Sequence, residues 1–208
     1  MIEDFQVNNY TIRIVFIVFS YLLGAVPFGL LTAKAMGAGD IRKMGSGNIG
    51  ATNVFRNAGK LGGGITLLLD SLKGVIPVLI AKAWWGTEIW TLGVALAAIL
   101  GHNYPVYLKF KGGKGVATSL GILVALWPYA GLITIGVWIG SVLIWRYSSL
   151  GALISFTFLP MVIFVGERSI RHLIFSLLVS AMIFYRHIEN IKRLLAGKEK
   201  MIGKGGEI

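Results

Sequence analysis

The chain has no cysteine, which excludes disulfides and thiolate-bound metals and leaves the redox compartment unread. Acid is scarce too: nine Asp and Glu stand against twenty Lys and Arg, for a formal charge of +11. Charged residues of both signs reach only 14%, where soluble domains carry about 25%. Hydrophobic residues make up 55%, and the mean hydropathy is +0.74. A chain of 208 residues has too little interior to hide that much apolar surface from water. The shortages together predict a lipid bilayer as solvent. The positive excess then points to anionic headgroups and cytoplasmic loops, with no nucleic acid partner. A positive leader region is also missing. Glu3 and Asp4 precede the first apolar run, which passes Gly24 and Pro27 without a small-residue cleavage site, so a cleaved signal peptide is not expected. No His/carboxylate cluster points to a metal, and no cofactor is expected.

What is present is a series of apolar runs. A spanning helix needs about 20 mainly apolar residues in sequence. Residues 1–208 therefore read as one all-α, membrane-embedded domain with seven transmembrane helices and short cytoplasmic or interfacial helices. The spans are placed near 12–36, 63–84, 89–107, 115–126, 129–146, 150–165 and 170–185. The run from Gly115 to Arg146 is too long for one helix and is split at Trp127-Pro128, because a proline biases the residue before it out of helix. Seven spans put the termini on opposite sides. With the N-terminus outside, the inner connections receive Lys34, Arg42, Lys43, Arg56, Lys60, Lys109, Lys111, Lys114 and Arg146. The C-terminal tail adds Arg186, Lys192, Arg193, Lys198, Lys200 and Lys204. Together these are fifteen of the twenty basic residues. Arg168 and Arg171 fall outside and oppose the rule.

Two inner connections carry glycine where chemistry is expected. The first reads Gly45-Ser46-Gly47-Asn48-Ile49-Gly50-Ala51-Thr52-Asn53-Val54-Phe55-Arg56. Its glycines permit positive φ and close backbone approach to a ligand. Ser46 or Asn48 is expected to cap a short helix ending at Gly59, whose free N–H groups and dipole would favour an anion near Ser46. Thr52 and Arg56, four apart, share a face of it. The plainer reading is a flexible loop with an ordinary cap. The second connection runs from Gly101-His102-Asn103-Tyr104-Pro105 into Lys111-Gly112-Gly113-Lys114-Gly115 at the head of a span. Successive N–H groups in such a turn make an anion concavity, and Lys114 adds a full charge. It departs from a Walker A loop: Gly115 stands where a Ser or Thr is required, and no strand precedes it.

The tail opens Arg186-His187-Ile188-Glu189-Asn190 and continues with Ile191, Leu194 and Leu195 on one stripe, an amphipathic interfacial helix. His187 is either a polar cap or a catalyst, and Glu189 is expected to pair with Lys192 or Arg193. Asp70 and Lys73, three apart inside the second span, are either a structural ion pair or part of the site lining.

These motifs in combination resemble the bacterial acyl-phosphate-dependent glycerol-3-phosphate acyltransferases, a membrane-integral family. The resemblance covers essentially the whole chain, including Pro27-Phe28-Gly29 and Asp70…Lys73-Gly74. It implies transfer of a fatty acyl group from acyl phosphate to the sn-1 hydroxyl of glycerol 3-phosphate. The products would be lysophosphatidate and phosphate, in the first step of phospholipid synthesis. It also implies Ser46, Arg56, Lys114, His187 and Asn190 as catalytic residues. Gly45, Gly47, Asn48, Thr52, Asn53, His102, Asn103, Gly112, Gly113 and Gly115 would bind substrate phosphate, while Asp70, Lys73 and Glu189 would be structural. The implied setting is the cytoplasmic membrane, with the site facing the cytosol, membrane lipids around it and an acyl-phosphate-producing enzyme as partner.

The residues suit that reaction. Acyl phosphate is already activated, so cations and N–H groups can stabilise its leaving group without a general acid. A His with Asp five places on is absent, since Tyr107 occupies that place after His102. Direct transfer is expected, with either His187 or a phosphate oxygen of the donor as base. Ser46 as nucleophile would need a neighbouring base, and none is visible. Two competitors remain: a transporter or channel for a phosphorylated solute, and a non-catalytic binder of anionic lipid.

Overall fold

The structure is a computed structural model describing residues 2–87 and 89–203, with side chains described for 9–87 and 89–203. The acidic side chains of Glu3 and Asp4 and the whole of Lys204 lie outside the described residues. Among the described residues every regular element is a helix, and there is no strand.

The first predicted span is two helices, α1 (Ile2–Ala25) and α2 (Phe28–Ala35), separated at Val26-Pro27. Proline cannot donate an N–H to a continuing helix, and the Lys73 ammonium takes up the break by donating to the Val26 carbonyl at 3.0 Å. Helix α3 (Ala51–Trp85) is longer than predicted, because the expected short helix and the second span are one element. Gly59 lies within it at φ 77° and interrupts the helical run without ending it. The expected caps are also corrected. Gly50 occupies the N-cap position with no side-chain cap, and the Asn48 Oδ1 instead accepts the Gly50 N–H at 2.8 Å.

Helix α4 (Ile89–Asn103) stops short of the predicted Tyr107, since Tyr104 precedes a proline. A 3₁₀ turn at Val106–Leu108 follows. The split at Trp127 is present, with α5 (Val116–Leu126) on one side and α6 (Pro128–Trp145) on the other. Helices α7 (Ser148–Glu167), α8 (Ile170–Arg186) and α9 (Ile188–Leu195) complete the chain. Each of the seven predicted segments is helical, and five stretches are long and apolar enough to cross a membrane: Asn9–Ala35, Ala51–Trp85, Ile89–Leu108, Pro128–Trp145 and Ser148–Glu167. Helix α5 is a shorter apolar helix.

Helix α1 packs on α4, α3 on α4 and α5, and α6 through α8 pack in sequence. The α1–α4 contact is backbone-close: a Cβ added at Gly24 or Gly101 would overlap main-chain atoms of the opposite helix. Small residues at such crossings are how helices associate where lipid gives no hydrophobic drive. Val78, Val94, Ile99, Ile122, Phe156, Leu159 and Ile183 fill the core, whereas Val15, Leu68, Leu132, Leu143, Met161 and Val165 face outward. An apolar exterior around an apolar interior is the pattern of a multi-pass membrane protein. The glycine-rich connections and the tail meet around one cavity, which Arg56, Lys114, Arg193 and Glu199 help to line.

Candidate active site

The loop before α3 is built around one buried amide. The Asn53 Nδ2 reaches the carbonyls of Ile41 (3.2 Å), Met44 (3.0 Å) and Asn48 (2.8 Å), and its Oδ1 accepts the Ser46 N–H at 2.9 Å. Gly45 and Gly47 turn at φ 60° and 70° to wrap the chain around it. Asn53, expected at substrate phosphate, therefore spends its hydrogen-bonding capacity on holding the loop and so places Ser46. Thr52 bonds to Ser148 at 3.1 Å across α7.

The Gly-Gly-Lys-Gly turn is fixed by two flanking residues. The Gly113 N–H donates to the His102 carbonyl at 3.0 Å. The Arg186 guanidinium donates to the Gly113 and Gly112 carbonyls at 3.0 and 2.9 Å, and lies 5.1 Å over the Tyr104 ring. Of the N–H groups expected to form an anion concavity, that of Gly113 is thereby taken by His102. A Cβ there would overlap the His102 imidazole. His102 is buried, with its Nδ1 3.6 Å from Asp70 Oδ1, and Asp70 is 2.7 Å from Lys73. Asn103, also expected at phosphate, is wholly buried behind Gly115 and lines neither of the two cavities described below. What the turn delivers is Lys114, whose Nζ bonds the Asn190 Oδ1.

His187 closes α8 and starts α9. Its Nδ1 is 2.8 Å from the Ile183 carbonyl. A carbonyl only accepts, so Nδ1 carries the proton and Nε2 keeps its lone pair. Burial and then the Lys114 charge push this imidazole down to about 4, so it is neutral at physiological pH. Burial also pulls Lys114 down to about 8, against the pull of Glu199. Glu189 is exposed and pairs with Lys192 at 2.8 Å.

The three stretches meet. One cavity of about 590 Å³ is lined by Gly45, Ser46, Asn48, Thr52, Asn53 and Arg56 from the first, Lys114 and Gly115 from the second, and His187 and Asn190 from the third. His102 and Asp70 also reach it, and Phe55, Leu67, Val116 and Trp138 give it an apolar side. A neighbouring cavity of about 500 Å³ shares Ser46, Asn48, Lys114 and Asn190 and adds Gly47, Gly112 and Glu189. Several lining residues escaped the sequence reading. Ser148 and Ser149 open α7 just after Arg146-Tyr147, a polar pair at the head of an apolar run. Arg193 and Glu199 lie in a tail whose fold-back had no local signal.

The chain aligns with the glycerol-3-phosphate acyltransferase family model over residues 14–197. The chain belongs to that family. It is 45% identical over 191 residues to the glycerol-3-phosphate acyltransferase of Geotalea daltonii, covering 92% of this chain and 98% of the relative. With the Aquifex aeolicus enzyme of the same name it shares 46% over 184 residues, or 88% of this chain and 95% of the relative. Crystal structures of PlsY, an integral membrane glycerol 3-phosphate acyltransferase, superpose on it. The glycerol 3-phosphate form gives a TM-score of 0.88 at 43% identity, covering 92% of this chain and 96% of that one. The lysophosphatidic acid form gives 0.85 at 42%, covering 92% and 95%.

Proposed function

We propose that this acyltransferase moves the acyl group of acyl phosphate to the sn-1 hydroxyl of glycerol 3-phosphate, giving lysophosphatidate and inorganic phosphate. The observation that carries this reading is the single cavity into which Ser46, Arg56, Lys114, His187 and Asn190 converge. Both reactants bear phosphate, and the polar side supplies Arg56 and Lys114 for it. The apolar side, with Phe55, Leu67, Val116 and Trp138, suits an acyl chain.

In the reaction the sn-1 oxygen attacks the acyl carbon, an ester C–O bond forms, and the bond between that carbon and the bridging phosphate oxygen breaks. Lys114 and Arg56 stabilise the negative charge arriving on the departing phosphate. The hydroxyl proton needs an acceptor. His187, held at about 4, is a weaker base than the released phosphate, since even a phosphate monoester has its second ionisation near 6. The proton therefore ends on the departing phosphate, while the His187 Nε2 accepts the hydroxyl's hydrogen bond and aims it. Ser46 has no base to make it a nucleophile, so transfer is direct. Holding both reactants in place supplies much of the rate.

The seven apolar segments cross the cytoplasmic membrane with the N-terminus outside, on the weight of basic residues at the cavity end. The cavity then opens to the cytosol, where an acyl-phosphate-producing enzyme delivers the donor. A transporter would show broken helices facing each other near the midplane, whereas here the polar residues cluster at one end. Purified protein in detergent micelles, given palmitoyl phosphate and glycerol 3-phosphate, should form lysophosphatidate and should form none with palmitoyl-CoA. Turnover with the CoA ester alone would overturn the donor assignment, and no turnover with either donor would overturn the reading itself.

A further inference from the structure

The tail beyond α9 folds back across the cavity. Its residues Glu199, Lys200 and Ile202 line the same space as Ser46 and Lys114. The Glu199 side chain is only 7% exposed, and its carboxylate is fully ligated. Oε1 accepts from Asn190 Nδ2 at 2.6 Å and Ser149 Oγ at 2.8 Å, and Oε2 accepts from Arg193 Nε at 2.7 Å. Burial alone would raise this carboxyl, but the three hydrogen bonds outweigh it and hold the group ionised, below the usual carboxylate range.

Two residues expected to hold substrate are thus engaged by the tail. Asn190 is bridged between Lys114 and Glu199. Arg56 donates to the carbonyls of Lys200 at 2.7 Å and Met201 at 3.4 Å, and its Nε is buried without a partner. The strap is pinned at two further points: Lys200 Nζ donates to the Gly45 carbonyl at 2.9 Å, and the Ile202 N–H to that of Arg146 at 2.7 Å. The family match ends at Gly197, so the segment carrying these contacts lies outside it.

We infer that Asn190, Ser149 and Arg193 form an anion subsite for a phosphate monoester, and that the Glu199 carboxylate is its resident occupant, displaced when substrate phosphate binds. This rests on the reading of the cavity as the acyl-transfer site. A carboxylate and a phosphate oxygen make the same demands on these donors: negative charge, acceptance only, and ordinary hydrogen-bond lengths. The two cannot share them. Because a closed strap removes a fraction of binding-competent molecules, the apparent affinity for phosphate falls by that fraction. The strap thus sets the concentration at which the site fills, while the donors are kept paired when it is empty.

Inorganic phosphate is the probe, titrated by calorimetry into the full chain in detergent, so that no turnover is needed. Glu199→Gln removes the charge and keeps the shape, and phosphate should bind about fivefold more tightly, the gain expected if roughly four in five free molecules hold the strap closed. A chain ending at Gly197, which removes the strap whole, should reproduce the gain, and KM for glycerol 3-phosphate should fall in the same proportion. Unchanged or weaker phosphate binding in Glu199→Gln would assign Glu199 to positioning Asn190 and Arg193 and overturn the inference, as would failure of the shortened chain to follow. Absence of acyl transfer in the parent chain is a separate result and bears on the function reading alone.

Discussion

At the scale of single residues the account turns on two groups whose pKa values burial lowers. Lys114 is held near 8 by burial, so its ammonium is lost as pH rises through that value. Activity should therefore decline on the alkaline side with an apparent pKa of about 8 in a kcat/KM–pH profile. Lys114→Arg, whose charge persists, should move that limb upward, and a limb unmoved by the substitution would exclude Lys114 as its source. His187, neutral down to about 4, should contribute no inflection near the ordinary histidine value of about 6.5. If it orients the hydroxyl, His187→Gln, which keeps an acceptor, should retain at least about tenfold more kcat/KM than His187→Ala, the worth of one hydrogen bond of about 1.4 kcal/mol. Equal loss in both would make His187 the base. The motif residues were legible one by one because glycine, lysine and histidine in such runs have few structural uses. What Asn53 does was not. An asparagine beside a glycine-rich loop has the same one-dimensional signature whether its amide meets a ligand or three carbonyls of its own loop.

At the scale of elements, two long-range supports hold the turns. Arg186 grips the Gly112 and Gly113 carbonyls from the end of α8, and only a planar fork reaches both. Arg186→Lys should therefore lower kcat/KM by about tenfold, the loss of one charged hydrogen bond at roughly 1.5 kcal/mol, although no charge is removed. Full activity in that variant would show that the turn stands unaided. Inside the bundle, Asp70 and Lys73 form an ion pair with side chains 3% and 1% exposed, and Lys73 also caps the α1–α2 break. Removing one partner leaves a buried charge, so Asp70→Asn and Lys73→Met should each destabilise by about 3 kcal/mol, and the double variant by less than their sum. Denaturant unfolding in micelles measures this, and simple additivity would mean that the pair is not coupled. The element map was largely legible. Proline at 27 and 128 and glycine at 59 mark breaks by mechanisms local to the backbone. The fusion of the short helix with the second span was hidden, because a glycine at positive φ can end a helix or merely interrupt it, and packing decides which.

At the scale of the whole molecule, an apolar exterior surrounds a bundle in which the two glycine-rich connections and the tail line one cavity. The fold-back of the tail was out of reach of sequence: Glu199 is one acid in a basic segment, and only the fold places Arg56, Asn190, Ser149 and Arg193 around that segment. The convergence of three distant stretches is the claim on which the function rests. It is tested most directly by kcat/KM for glycerol 3-phosphate in Ser46→Ala, Lys114→Ala, His187→Ala and the triple variant. Residues acting as one unit on the same reactants lose activity non-additively, so the triple variant should be little worse than the most damaged single one. Losses that multiply fully across the three would show that they act independently of one another and contradict their action as one unit on the same bound reactants.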